Sequence, residues 1–212
     1  MRTAALLLLV LGAAGCASDT LEVTQMPQRD ADLYPWAQTQ AGITVTVDEI
    51  ADPARVTRYF GADLLEEGVL PVTVVVSNHG VRGVRVGPAD VLLLRGRAVI
   101  DPLPVGHVAD IAKRAMGRLR AAAGREVDNY FAGLALRATT VAPKASYQGV
   151  LFFPKPPPVD TDRFLSRLRL HRGGPRMHVG VTDVETQARL RYGPFRLTGG
   201  ERQPDSFGAW WY

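Results

Sequence analysis

One cysteine stands in 212 residues, at position 16. A lone thiol can neither close an intramolecular disulfide framework nor furnish a cysteine-based zinc site. Lysine is almost as scarce: Lys113, Lys144 and Lys155 are the whole supply among 25 basic residues, and the net charge is +4. So mild an excess gives no footing for nucleic acid as a partner. Long apolar runs are missing as well. The longest near the start, Ala4 to Leu11, falls well short of the roughly 20 residues that a membrane-spanning helix needs. Catalytic signatures are absent too. There is no Gly-x-Ser-x-Gly elbow and no phosphate-cradling Gly-Lys-Ser/Thr loop. The histidines are His79, His107, His171 and His178, and no pair has the His-Glu-x-x-His spacing of a helical metal site.

What is present describes a folded chain. Hydrophobic residues make up 46% and charged residues 22%, a balance that supports a core and argues against disorder. The N-terminus reads Met1-Arg2-Thr3, an apolar run, then Gly12-Ala13-Ala14-Gly15-Cys16. A positive start, a short apolar stretch and small residues before a cut site form an export signal over residues 1–15. The only cysteine follows Ala13-Ala14-Gly15 directly, and this resembles the lipobox of bacterial lipoproteins. Ala13 stands where that family usually has Leu. The resemblance implies cleavage between Gly15 and Cys16, a diacylglycerol on the Cys16 sulfur, and acylation of the new amino group with long chains such as palmitate. Multiple chains, each burying many methylenes at about 0.8 kcal/mol apiece, make a stable anchor. The residues after Cys16 are Ala17 and Ser18, not Asp. For a lipoprotein this implies the outer membrane, facing the periplasm, in an organism that has one.

Residues 16–41 are polar and aperiodic, and they read as a flexible tether. Strand signals follow. Ile43, Val45 and Val47 alternate with Thr44, Thr46 and Asp48, the pattern of a strand with one polar, solvent-facing side. Asp52-Pro53 starts a short helix that Gly61 ends. Val72 to Val76 is a continuous β-branched run, which predicts a central strand buried on both faces. From Val105 to Arg125, residues Val108, Ile111, Ala112, Ala115, Leu119 and Ala122 share one helical face, with Gly124 as the stop. A second short helix is predicted from Val127 to Leu136. Strand signals return at Tyr147 to Phe153. Leu168 and Leu170, the Gly173-Gly174 turn and Met177, Val179 and Val181 predict a hairpin.

The expected fold is mainly β: an immunoglobulin-like antiparallel β-sandwich over residues 42–198, with a helical insertion at about 105–136 and an aromatic tail over 199–212. Tyr59-Phe60-Gly61-Ala62-Asp63-Leu64, Gly68-Val69-Leu70-Pro71-Val72, Asn78 and the late Gly149-Val150-Leu151-Phe152-Phe153 resemble uncharacterised bacterial lipoproteins with such a sandwich. That resemblance covers about residues 42–154 and brings no catalytic residues with it.

The candidate sites are therefore few. Gly15 and Cys16 are the cleavage and lipid-attachment positions, and membrane attachment through Cys16 is the expected partnership. Arg114 and Arg118, beside Lys113, Arg120 and Arg125, form a basic helix face that could meet an envelope protein or anionic lipid. Asp63, Glu66 and Glu67 read as a solvated loop rather than an acid–base site. His171 and His178 are placed on opposite arms of the hairpin, without a carboxylate ligand beside them. Trp210-Trp211-Tyr212 either packs on the domain or sits in a membrane interface. No catalytic residue, cofactor or metal is expected. The function expected is a lipid-anchored envelope protein that binds or scaffolds without catalysis. A carrier of an apolar ligand and an enzyme with scattered site residues remain the alternatives, and a sandwich fold by itself does not choose among them.

Overall fold

The computed structural model of the chain describes residues 21, 23–117, 124–155 and 174–198. In chain order they form β1 (Gln38–Gln40), β2 (Ile43–Glu49), α1 (Pro53–Phe60), β3 (Val69–Asn78), β4 (Val84–Val86), β5 (Val91–Arg95) and β6 (Ala98–Ile100), then α2 (Val105–Met116), α3 (Gly124–Leu134), β7 (Thr139–Val141), β8 (Ala145–Pro154), β9 (Arg176–Asp183) and β10 (Arg189–Arg196). The protein is mainly β, with two antiparallel sheets and three helices among the described residues.

The first sheet runs β1-β2-β3-β8. At its centre β3 pairs with β2 from Val72 to Asn78 and with β8 along its full length. All ten residues of β3 are buried, as its β-branched composition predicts. The second sheet is organised around β9. One edge of β9 pairs with β10. Its other edge pairs first with β4 and then with β5, which the short 3-10 turn Pro88–Asp90 separates. β7 extends this sheet on the far side of β4, and β6 on the far side of β5.

One hydrophobic cluster takes in residues of both sheets: Val45, Val47, Val72, Val74 and Val76 from the first, Val84, Leu93, Met177, Val179 and Tyr192 from the second. Tyr192 also ties the two together by hydrogen bonds. Its hydroxyl lies 3.2 Å from the Ile43 carbonyl oxygen and 3.3 Å from that of Gln40.

The helices follow local rules. Asp52 caps α1, its carboxylate accepting from the Ala54 and Arg55 amides, and Gly61 ends it at φ 72°. In α2, Val108, Ala109, Ile111 and Ala112 are buried, with Val105 and Met116 partly buried against the core. This helix is shorter than its sequence pattern. It ends at Met116, because Gly117 takes φ 77°. Gly124 begins α3 rather than stopping the preceding helix. Ala115, expected on the apolar face, is exposed. Leu119 and Ala122 lie outside the described residues.

The insertion is bonded into the first sheet. The Leu103 amide donates to the Phe152 carbonyl at 2.6 Å and the Leu136 amide to that of Val150 at 2.9 Å. Residues flanking the two helices thus cover the outer edge of β8, which would otherwise present open backbone groups. Gly149 permits this approach: a Cβ there would lie 2.5 Å from the Leu136 Cα. Beneath the helices three rings from three elements meet. Phe60 of α1, Phe131 of α3 and Phe152 of β8 have centroids 5.7 to 5.8 Å apart.

Two expectations need correction. Residues 23–41 are not a free tether. Met26 and Ala31 are buried, and β1 pairs with β2. The cause is the outer face of the first sheet, which needs a cover and finds it in this segment. For the same reason Thr44 and Thr46 do not face water. They are 1% and 0% exposed.

Candidate functional site

The outer face of the first sheet is unusual in being polar and covered. Cross-strand partners share a face, so Thr44, Thr46 and Asp48 of β2 lie beside Ser77, Val75 and Thr73 of β3. Ser146, Gln148 and Val150 of β8 continue that face. The segment from Val23 to Trp36 runs across it. Its Thr24 amide donates to the Arg58 carbonyl at 2.9 Å. Met26 receives a hydrogen bond from the Thr73 hydroxyl on its sulfur. The Ala31 amide donates to Ser77 Oγ at 2.8 Å, and Asp30 accepts from Ser146.

At the middle of this covered face is a shallow notch lined by Met26, Pro27, Tyr34, Asp48, Arg55, Tyr59, Thr73 and Gln148. Arg55 reaches from α1 to Asp48 of β2, with Nη2 2.8 Å from Oδ2, and both side chains are about one-fifth exposed. Burial alone would lower the Arg55 pKa. The charge of Asp48 and its hydrogen bond outweigh that and raise it. Burial, reinforced by Asp48, pushes the Tyr34 hydroxyl up to about 12. The Gln148 Oε1 and Thr46 Oγ1 atoms are buried with no hydrogen-bond partner. The notch has room for little more than a water molecule. Its chemistry is that of an ion pair joining α1 to β2, lined by the side chains of Tyr34 and Tyr59.

Sequence reasoning did not join Asp48 to Arg55. A strand residue and a helix residue seven positions apart carry no shared periodicity. The only available signal was an acidic residue closing an alternating strand just before a capped helix with an early arginine.

The predicted basic face is divided by the structure. Lys113 is engaged, its Nζ 2.7 Å from Asp110 Oδ1 and 2.9 Å from Asp128 Oδ1, so it joins α2 to α3. Hydrogen bonds from Lys113 hold the Asp110 carboxyl below its usual range. Arg114 and Arg125 are exposed. Arg118 and Arg120 lie outside the described residues, as do Gly15 and Cys16, His171 and the tail from 199 to 212. Asp63 accepts hydrogen bonds from the Leu65 and Glu66 amides in a turn, while Glu66 and Glu67 are exposed. The three carboxyls are not gathered into a site. His79 pairs with Asp32 at 2.7 Å on the surface. His178 is half-buried in β9, opposite Leu92. Among the described residues no three His, Cys, Asp or Glu side chains are grouped to hold a metal ion, and no helix is long and apolar enough to cross a membrane.

No protein-family model and no curated protein matches the chain. Among solved structures, the protein is similar to the putative lipoprotein ycdA of Bacillus subtilis, at 15% identity and a TM-score of 0.35. That match covers 74% of this chain and 37% of ycdA, so the chain spans little more than a third of that protein's length. It is also similar to the yjhA protein of Bacillus subtilis, at 9% identity and a TM-score of 0.38, covering 73% of this chain and 93% of yjhA.

Proposed function

We propose that the protein is a bacterial lipoprotein anchored through acyl chains on Cys16, and that its β domain binds or scaffolds at the cell envelope without catalysis. The observation that carries the anchor is the sequence Gly12-Ala13-Ala14-Gly15-Cys16 after a short apolar run, with the chain's one cysteine at the cleavage position. Outer-membrane attachment facing the periplasm belongs to this reading, supported by Ala17 after the cysteine. So does an immunoglobulin-like sandwich, supported by antiparallel pairing throughout both sheets around one core.

The non-catalytic role rests on how the polar groups are used. Asp48 and Arg55 converge, but on each other, and the notch beside them is too small for an organic substrate. The carrier alternative is disfavoured by the rings of Phe60, Phe131 and Phe152, which fill the space between helices and sheet. Cys16→Ser tests the anchor. The variant is expected to accumulate unprocessed or to leave the membrane fraction, and to lose detergent-phase partitioning. A Cys16→Ser protein that still carries lipid and partitions as before overturns the reading.

A further inference from the structure

The chain enters the fold early, and at one particular end. Leu21 already packs against the core. A methyl placed on Gly61 would lie 2.8 Å from Met116 Cε and 3.4 Å from both Leu21 Cδ1 and Val23 Cγ1. The entry point is therefore the place where the C-terminal ends of α1 and α2 meet. From there the segment runs along β3 in a fixed direction: Met26 at Thr73, Ala31 at Ser77, Asp32 at His79.

Only five residue steps separate Cys16 from Leu21. A chain extends at most about 3.6 Å per residue, so five steps reach about 18 Å. A tether of residues 16–41 would have let the domain tumble well clear of a membrane. A five-step leash fixes the entry end close to it.

Resting on the lipid-anchor reading, we infer that the α1–α2 end of the domain lies against the lipid surface, with Arg58 and Arg114 at the headgroups and the His79–Val81 end pointing away. The charges at the entry end are mixed and nearly balanced, so the placement rests on the short leash and not on them. Arg58, Arg114 and Arg125 are exposed. Lys113 is shared between Asp110 and Asp128. Glu126, Glu66 and Glu67 are exposed acids of the same region and offset them. The leash does the placing. The opposite end is well separated. From Pro71, which pairs with Phe152 at the ring cluster, to Asn78, β3 spans about 23 Å at the strand rise. Val81, 86% exposed, lies beyond it.

The test uses the full-length lipidated protein in vesicles of phosphatidylethanolamine and phosphatidylglycerol containing a headgroup-nitroxide lipid. A single cysteine is introduced as Arg114→Cys or as Val81→Cys and labelled with a fluorophore. The Cys16 sulfur is blocked by its thioether and does not compete. Quenching is expected to be several-fold stronger at position 114 than at 81. A Gly/Ser spacer of about thirty residues inserted after Ser18 is expected to erase the difference. Equal quenching at the two positions without the spacer overturns the orientation while leaving the anchor intact. Mass spectrometry of the Cys16 peptide separates the two failures, because a Cys16 without lipid overturns the anchor and the orientation together.

Discussion

The two sheets of this protein use the same strand physics to different ends. In the first, β3 is buried at every position and β2 from Ile43 to Val47 is buried on both faces. In the second, β4 and β10 keep the alternation of a sheet with one side in water: Val84 and Val86 are buried while Arg85 is exposed, and Tyr192 is buried between exposed Arg191 and half-buried Gly193. The first sheet differs because other segments cover it. Residues 23–36 lie over its outer face, and the flanks of the helical insertion cover its β8 edge. The comparison teaches that a polar outer face does not guarantee contact with water. Thr44, Thr46, Ser77 and Gln148 are polar and covered, and Ser77 accepts a hydrogen bond from the Ala31 amide of the segment above.

The largest way to break the contrast is to place a charge on each face of the first sheet and compare it with one on the exposed side of the second. Val74→Asp puts a carboxylate in the core, and Thr44→Asp puts one under the covering segment. Both residues are no more than 1% exposed. Each substitution is expected to cost several kcal/mol, enough to unfold or nearly unfold a marginally stable domain. Arg191→Asp on the exposed side of β10 is expected to melt near wild type. Thermal denaturation of the three variants decides. A wild-type melt for Thr44→Asp would return that face to solvent.

A smaller effect is expected where the insertion meets β8. Gly149→Ala places its methyl 2.5 Å from the Leu136 Cα, a backbone atom that cannot swing aside. The expected loss is about 1–3 kcal/mol. Hydrogen exchange at the Leu136 amide is expected to rise with it. Unchanged stability and protection would mean that the edge cover is looser than the close approach requires.

The smallest effect concerns the bridge between the sheets. Tyr192→Phe removes the hydroxyl that bonds to Gln40 and Ile43, at about 1 kcal/mol near neutral pH. Burial pushes this phenol from 10.0 up to about 12. Its folded pKa lies above its unfolded one, so its contribution is complete below pH 10 and is lost as the pH rises toward 12. Tyr34 and Tyr130 are pushed up to about 12 as well, by burial first. Stability is therefore expected to fall across that window, and Tyr192→Phe to fall less steeply. Denaturant midpoints at pH 9 to 12 measure both slopes.

Much of the fold was legible. The Val72 to Val76 run marked the central strand because only a strand buried on both faces tolerates continuous β-branching. Asp52-Pro53 and Gly61 marked both ends of α1 because capping is local chemistry. Val108, Ile111 and Ala112 marked the docked face of α2. The end of that helix was not legible, since the apolar spacing continues to Ala122 while the backbone turns at Gly117. Of the candidate residues on the basic face, Arg114 is exposed, whereas Lys113 is claimed by Asp110 and Asp128, a pairing that needed α3 beside α2. The notch of Asp48, Arg55 and Tyr34 had no signature at all.

Sequence alone determined the features that depend on neighbouring residues: the β-rich character, the caps of α1 and the place of the insertion. Tertiary structure decided which faces are covered. Residues 23–41 have no period, so nothing local distinguishes a tether from a cover. They become a cover because the first sheet offers Thr73, Ser77 and Ser146 as hydrogen-bond partners along one line. A tether would leave that face to water. Burial is a property of what lies opposite, and what lies opposite β2 and β3 comes from a distant part of the chain.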